Sequence, residues 1–165
     1  MPAGATYEPI ATTTLGSAAA TITFNSIAGT YTDLKLVFNG TGSTTLNAWL
    51  TFNNDSTALY SQTNLFGDGT AGGSTRQSAQ SYIRLPYSII TTTPTFVSYD
   101  VFSYAGSTFK TVLLSAAADN NGSGYTTLQV GLYRSTSAIT RLDLTTSTGN
   151  FAIGTTATLY GIKAA

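Results

Sequence analysis

The chain contains no histidine and no cysteine, and only seven acidic and seven basic residues among its 165 positions. Without histidine it lacks the side chain that most readily exchanges protons near neutral pH, and without cysteine it lacks thiolate chemistry and disulfide bonds. Most common metal ligands are missing as well. The composition therefore argues against catalysis, and we expect no catalytic residue, no cofactor and no bound metal.

Charge is equally scarce. Charged residues make up 8% of the chain and the formal net charge is zero, which offers no electrostatic attraction to nucleic acid or to an anionic membrane. No apolar run approaches the length of about 18 residues that a membrane span requires, and Met1–Ala5 lacks the features of a secretory signal. We therefore expect no nucleic-acid partner and no membrane. Weak mutual repulsion instead favours association with other proteins or with further copies.

Threonine, by contrast, supplies about a fifth of the residues, and its branched Cβ suits the pleated backbone of a strand. Apolar residues alternate with polar ones along most of the chain, which is typical of half-buried antiparallel strands. The sets that share one face are Leu34, Leu36 and Phe38; Leu46, Ala48, Leu50 and Phe52; Leu128, Val130 and Leu132; Leu142 and Leu144; and Ala157 and Leu159. Further strands are predicted at 20–24, 81–85, 96–104 and 109–116.

Clusters of Gly, Asn and Asp separate these segments and favour tight turns. No window has the period of a helix. The pattern predicts an all-β fold of about 8–10 strands, an antiparallel two-sheet sandwich that is jelly-roll-like. We expect residues 1–8 to form an N-terminal arm and residues 9–165 to form one domain.

Two short motifs resemble ligand-binding sequences. Residues 67–72 fit the G-x-G-x-x-G pattern of dinucleotide sites, but no helical pattern follows, so residues 67–78 are predicted to form a long, mobile, exposed loop. Residues 119–122 resemble part of a calcium loop without its closing glutamate, and a hairpin turn is the better interpretation.

The carboxylates are scattered singly, mostly near turns, at Glu8, Asp33, Asp55, Asp68, Asp100, Asp119 and Asp143. A glycosidase needs two carboxylates about 5–10 Å apart, and folding could bring two of them together. Because no nucleophile or partner base accompanies them, the sequence does not favour an enzyme.

Aromatic side chains with a polar tip are enriched in sandwich cores and at protein interfaces, and they also stack on sugars. For Trp49, core or subunit packing is favoured over a carbohydrate platform. The residues expected to contact a partner are Tyr7, Pro9, Ile10, Trp49, Tyr60 and Tyr87.

Both ends of the chain carry a resemblance. The opening YEPIATTTL at 7–15, the segment 22–34, and the closing segments 130–139, 149–155 and 159–165 (LYGIKAA) resemble small virion structural proteins of tailed bacteriophages, especially those that infect cyanobacteria. These segments cover more than half of the chain, and the middle, at about 40–120, carries no resemblance.

The resemblance implies a capsid decoration, or cement, protein that binds the major capsid protein on the outer surface of the virion head, as a homotrimer. The sequence shows no fibrous shaft, which favours decoration over a tail fibre. The alternative is a tail-fibre or lectin-like module that recognises host polysaccharide.

Overall fold

The computed structural model describes residues 6–85 and 90–163, and within them every regular element is an antiparallel β-strand. The expected two-sheet sandwich is confirmed, with twelve strands instead of 8–10. They are β1 (Tyr7–Thr14), β2 (Thr21–Phe24), β3 (Asp33–Gly40), β4 (Ala48–Phe52), β5 (Tyr60–Gly67), β6 (Gly72–Gln80), β7 (Ile83–Arg84), β8 (Thr95–Phe102), β9 (Lys110–Asp119), β10 (Gly124–Tyr133), β11 (Leu142–Thr146) and β12 (Thr156–Ile162).

The two sheets contain an eight-strand jelly roll. The large sheet has the order β1-β12-β3-β8-β9-β10-β5-β6, and the small sheet has the order β2-β11-β4-β7. If the hairpins β5–β6 and β9–β10 are set aside, the orders β1-β12-β3-β8 and β2-β11-β4-β7 remain. In that arrangement the chain crosses between the sheets at every step except from β4 to β7, which is jelly-roll topology. The two inserted hairpins therefore extend the large sheet by four strands.

The core lies between the sheets and is built by the alternation read from the sequence. Leu34, Leu36 and Phe38 of β3 are all buried, and Leu46, Ala48, Leu50 and Phe52 lie on the buried face beside them. The same holds for the buried sets in β11 and β12. These strands belong to the jelly roll, where one face meets the opposite sheet and the other meets solvent, so period-two patterning identifies their inner face correctly.

The alternation in β10 has the opposite meaning. Leu128 and Val130 do share a face, but that face is exposed, at 50% and 46%, whereas Thr127 and Gln129, which alternate with them, are buried. The apolar side of this strand therefore faces away from the core.

Residues 67–78 do not form the predicted loop. They contain the end of β5, a turn at 68–71 and most of β6, which pairs with β5 from Gly67↔Gly72 to Tyr60↔Gln80 with one bulge. Asp68 Oδ1 accepts hydrogen bonds from the Thr70 and Ala71 amides and closes the turn. Strand β6 is polar and mostly exposed, so it lacks the apolar alternation that marks a strand in the sequence.

The N-terminal boundary also differs from the prediction. Strand β1 begins at Tyr7 and pairs with β12 from Tyr7↔Ile162 to Thr14↔Thr156. Tyr7 and Glu8, the last residues of the expected 1–8 arm, thus belong to the large sheet. Residues 1–5 lie outside the described part of the chain.

Candidate interaction surface

Buried glutamines hold the inserted hairpins against the rest of the fold. The inner face of the large sheet, which is the side facing the small sheet, carries Gln62 on β5 and Gln129 on β10, exposed by only 6% and 1%. Gln62 Oε1 accepts the backbone N–H of Arg84 at 2.7 Å, and Gln129 Nε2 donates to the Arg84 carbonyl at 3.0 Å. Arg84 lies on β7, the edge strand of the small sheet.

This arrangement explains why polar residues point inward on β5 and β10. An edge strand leaves backbone N–H and C=O groups without sheet partners, and burying such groups is costly. The two glutamine side chains supply partners from the facing sheet. Deeper in the same region, Thr127 donates its hydroxyl to Asn64 Oδ1, so the polar inner face is largely bonded to itself.

The outer face is defined as the solvent side of β6, β5, β10, β9 and β8. Its centre is apolar: Leu65 on β5 lies opposite Leu128 on β10, and Val130 on β10 lies opposite Leu113 on β9. All four side chains are substantially exposed, Leu65 by 60%. Contiguous exposed apolar residues of this kind mark interaction sites in soluble proteins.

Shallow clefts border this centre. One, of about 510 Å³, lies at the end of the large sheet where the two inserted hairpins turn, and its lining includes Asp68, Phe96, Asp119 and Tyr125. Another, of about 550 Å³, adjoins Leu65 and Leu128. Both are open to solvent, and they are lined mainly by apolar surface, so they suit contact with another protein surface better than enclosure of a small substrate.

Three of the predicted contact residues lie on β1. Tyr7 is 53% exposed, and it pairs across the sheet with Ile162 while Pro9 pairs with Tyr160. Ile10 is partly buried and packs against the core. Tyr7 and Pro9 are therefore available on the surface, at the edge of the large sheet opposite β6, whereas Ile10 mainly supports the fold.

Trp49 lies on β4, and its side chain is out of phase with the buried Ala48 and Leu50, as the sequence indicated. Its ring stacks on Tyr82, with 4.4 Å between the ring centroids and 20° between the planes. Cross-strand pairing places Trp49 opposite Arg84, whose Nη2 donates to Asn47 Oδ1 at 2.9 Å. This half-exposed aromatic pair lies on the small sheet, away from the outer face.

The assignment of Tyr60 to a contact surface is wrong. Its side chain is fully buried and stacks on Tyr133, with 4.7 Å between the ring centroids. Its hydroxyl accepts the Phe52 amide at 3.0 Å and donates to the Asp55 carbonyl at 3.1 Å. Tyr60 lies on the inner face of β5, so it serves the core. Tyr87 lies outside the described residues.

Each of the seven carboxylates bonds to another part of the fold. Glu8 pairs with Lys163 and Asp100 with Lys35. The other five accept hydrogen bonds: Asp33 from the Ser103 amide, Asp55 from Thr57 and Tyr133, Asp68 from Thr70 and Ala71, Asp119 from the Asn121 amide, and Asp143 from Thr23 and Arg141. Asp68 and Asp119 both line the cleft of about 510 Å³, so the structure brings two of the seven carboxylates to one open space, where each accepts hydrogen bonds within its own turn. Among the described residues, no group of three or more potential ligands could hold a metal ion.

The charge state of the most enclosed carboxylate follows from its partners. Burial opposes ionisation of Asp143, but its hydrogen bonds with Arg141 and Thr23 outweigh that effect and lower its pKa. Arg141 Nε and Nη2 reach the two oxygens at 2.7 and 2.8 Å. Asp143 is thus held as an anion, which suits a structural ion pair and not a general acid.

The buried Lys110 has an equally structural role. Its ammonium group donates to the carbonyls of Gly106, Thr108 and Ser135, and it thereby ties the loop before β9 to the loop after β10. Burial lowers the pKa of Lys110. Since every donor is directed at a backbone carbonyl of the fold, this lysine has no geometry for a nucleophile.

Sequence reasoning missed Leu65, Leu113 and Phe96, which share the outer face. Their neighbours alternate with them in polarity, but alternation alone gives no sign of which face is covered by another sheet. An indirect signal could have identified this exposed face. Amide side chains stand at Gln62, Asn64 and Gln129, on one face of strands whose other face is apolar.

Within residues 6–85 and 90–163, no helix is long and apolar enough to cross a membrane. No protein-family model matches the chain, no curated protein is significantly similar to it in sequence, and no solved structure matches its fold significantly.

Proposed function

We propose that this chain is a non-catalytic structural protein of a tailed bacteriophage, a decoration protein that binds the major capsid protein on the outer surface of the head. The observation that carries the proposal is the reversed polarity of the inserted strands. Amides are buried on their inner face while leucine and valine are exposed on the outer face. A fold that exposes apolar residues at the cost of burying amides is suited to lasting contact with other protein.

The small number of charged residues supports the same function. The few carboxylates are bonded within the fold, so the surface offers mainly hydroxyls, amides and apolar groups. Contacts of this kind depend little on salt and avoid the cost of desolvating ions at an interface. A shell repeats one contact many times, so a modest interface per copy is sufficient for stable decoration.

Further candidates for capsid contact, besides the apolar outer face, are exposed residues away from the inserted hairpins. Tyr7 and Pro9 on β1, together with Tyr160 on β12, form a strip at the far edge of the large sheet, and Trp49 provides an aromatic site on the small sheet. Jelly rolls occur in viral capsid proteins and in lectins. By fold-level analogy, and by the resemblance of the chain ends, we propose that the capsid-bound unit is a homotrimer.

The test is removal and restoration in phage particles encoded by the same genome. Particles that lack this chain should assemble but release their DNA at a lower temperature than wild-type particles, and added purified protein should restore the wild-type temperature. A Tyr7→Ala variant should restore it less well, and Thr21→Ala, at an exposed threonine on the small sheet, is the matched control. Particles with unchanged heat resistance and no uptake of added protein would refute the proposal.

A second candidate function is recognition of host polysaccharide by a tail-fibre or lectin-like module. The specific observation in its favour is the stacked Trp49–Tyr82 pair beside Arg84 and Asn47, because aromatic rings and planar polar groups are a common combination in sugar binding. Trp49 is the chain's one tryptophan, so titration with host polysaccharide should change its fluorescence if this function is correct. An unchanged spectrum, together with no adsorption to host cells, would exclude it.

A further inference from the structure

The side chains of the outer face form three rows that cross the strands in the order β6, β5, β10, β9, β8. Directly paired residues lie side by side on the same face of a sheet. The first row is Gly72, Gly67, Thr126, Ala117 and Phe96; the second is Ser74, Leu65, Leu128, Ser115 and Ser98; and the third is Arg76, Thr63, Val130, Leu113 and Asp100. Strand β10 is the middle of the five, with two strands on each side.

These rows are complementary to themselves. If two copies meet face to face about a two-fold axis that runs along β10, each β5 lies over β9 of the second copy, and each β6 lies over β8 of the second copy. In the third row, Arg76 then faces Asp100 of the second copy, and this pairing occurs twice. Arg76 Nη1 already points along the outer face, where it donates to the Thr63 hydroxyl at 2.8 Å.

Size is matched as well as charge. In the first row the exposed Phe96 faces Gly72 of the second copy, so a large side chain lies over a residue without one. In the second row Leu65 faces Ser115, and at the axis Leu128 meets its own counterpart. The one carboxylate in the three rows is Asp100, which already accepts from Lys35 on the neighbouring strand β3 at 2.7 Å, and the one cation is Arg76. The axis brings Arg76 to the side of Asp100 that Lys35 leaves open, so the carboxylate would lie between two cations. Opposed charges and matched sizes of this kind are what a two-fold interface between identical surfaces requires.

The dimensions fit a dimer of moderate affinity. Five strands about 4.8 Å apart and three rows about 7 Å apart cover roughly 500 Å² on each copy. Two copies would thus bury roughly 1,000 Å² in total, which is near the lower limit for a specific interface. Two sheets stacked face to face pack about 10 Å apart with their strands within about 30° of one another, as the layers of a β-sandwich do.

We propose that the outer face is the interface of a two-fold homodimer, in which the inserted hairpins of two copies form an additional apolar layer. The inference goes beyond the proposed function, because it concerns a contact between copies of this chain in solution and does not require a phage particle. It leaves the strip on β1 and the Trp49 site uncovered for other partners.

The test measures the dissociation constant of the purified full chain by sedimentation velocity over a range of concentrations. The wild type should convert from a species of 17.2 kDa to one of twice that mass as concentration rises. Leu128→Glu should weaken dimerisation at least tenfold, because it places two like charges at the axis. Ile153→Glu is the matched control. Ile153 is also an exposed apolar residue, but it lies in the turn before β12, outside the three rows, so this variant should dimerise with the wild-type dissociation constant.

A charge exchange tests the geometry itself. Arg76→Glu alone and Asp100→Arg alone should each weaken self-association several-fold, since each variant sets like charges against each other twice. An equal mixture of the two variants should form a heterodimer with restored affinity, because both cross-copy pairs are then opposite in charge. Circular dichroism confirms that each variant is folded.

Three outcomes would overturn the inference. They are a wild type that stays monomeric at the highest concentrations, a larger assembly that Leu128→Glu does not weaken, and a mixture of charge variants that associates no better than either alone. None of these outcomes bears on whether the protein stabilises phage heads, which the particle experiment measures separately.

Discussion

Exchanging the polarity of two adjacent residues in β10 tests the unusual part of this fold directly. Leu128→Gln places an amide where the structure has an exposed leucine, and Gln129→Leu places a leucine where the structure has a buried amide. If the apolar alternation marked the core, Leu128→Gln would bury an amide without a hydrogen bond, and the free energy of unfolding would fall by about 3 kcal/mol or more.

The structure predicts instead that Gln129→Leu is the more destabilising of the two variants. At an exposed position, Leu128→Gln should change the free energy of unfolding by no more than about 0.5 kcal/mol. Gln129→Leu leaves the Arg84 carbonyl unpaired, which costs about 1–3 kcal/mol, and the branched leucine fits a site shaped for a linear side chain poorly, which costs about 1 kcal/mol or more. Greater apolar burial returns about 1–2 kcal/mol. At the middle of these ranges the net loss is about 1.5 kcal/mol, or a fall in Tm of about 3–6 °C.

Urea denaturation at low protein concentration, followed by Trp49 fluorescence, measures both variants in one assay. Low concentration keeps any association through the outer face from contributing to stability. The reasoning is refuted if Leu128→Gln loses more than about 2 kcal/mol while Gln129→Leu is neutral or stabilising, because the chain would then bury the other face of β10.

Three further predictions concern the core and the pH dependence of stability. The buried Tyr99 hydroxyl has no hydrogen-bond partner among the described residues, so Tyr99→Phe should raise the free energy of unfolding by about 1 kcal/mol; a loss above that size in urea denaturation would show that the hydroxyl is bonded. Gly161→Ala would drive a methyl group into the Tyr31 ring and should cost about 1–3 kcal/mol, whereas Gly16→Ala meets open space and should cost almost nothing; equal Tm values for the two would contradict the packing. The lowered pKa of Asp143 means that its contribution is complete above its unfolded pKa of about 3.9 and is lost as pH falls below that value; Tm should therefore be steady near neutrality and fall below pH 4, and Asp143→Asn should flatten that fall.

The jelly-roll strands could be predicted from the sequence because their environment is simple. Each of them has one face against the opposite sheet, so the alternation of Leu34, Leu36 and Phe38 with polar residues correctly predicts which side chains are buried. Together with this alternation, the many threonines and the Gly, Asn and Asp clusters at turns were sufficient to predict the fold class. Two-sheet architecture therefore followed from local patterns alone.

The inserted hairpins could not be predicted in the same way, since their environment is set by strands far away in the sequence. Strand β6 lacks an apolar face because both of its sides are largely exposed, and it is stabilised by backbone pairing with β5. Gln129 is buried because β7 needs hydrogen-bond partners, a requirement that arises only once the sheets are stacked. The role of Tyr60 was missed for the same reason: its inward position depends on the register between β5 and β10.

Reconstruction of intact phage particles tests the proposed function most directly. The account predicts a two-sheet sandwich of this size repeated over the outside of the head, in a number of copies comparable to that of the major capsid protein. If the sandwich is absent from the head, or is present in only a few copies at the tail or at a single vertex, the protein is not a decoration protein.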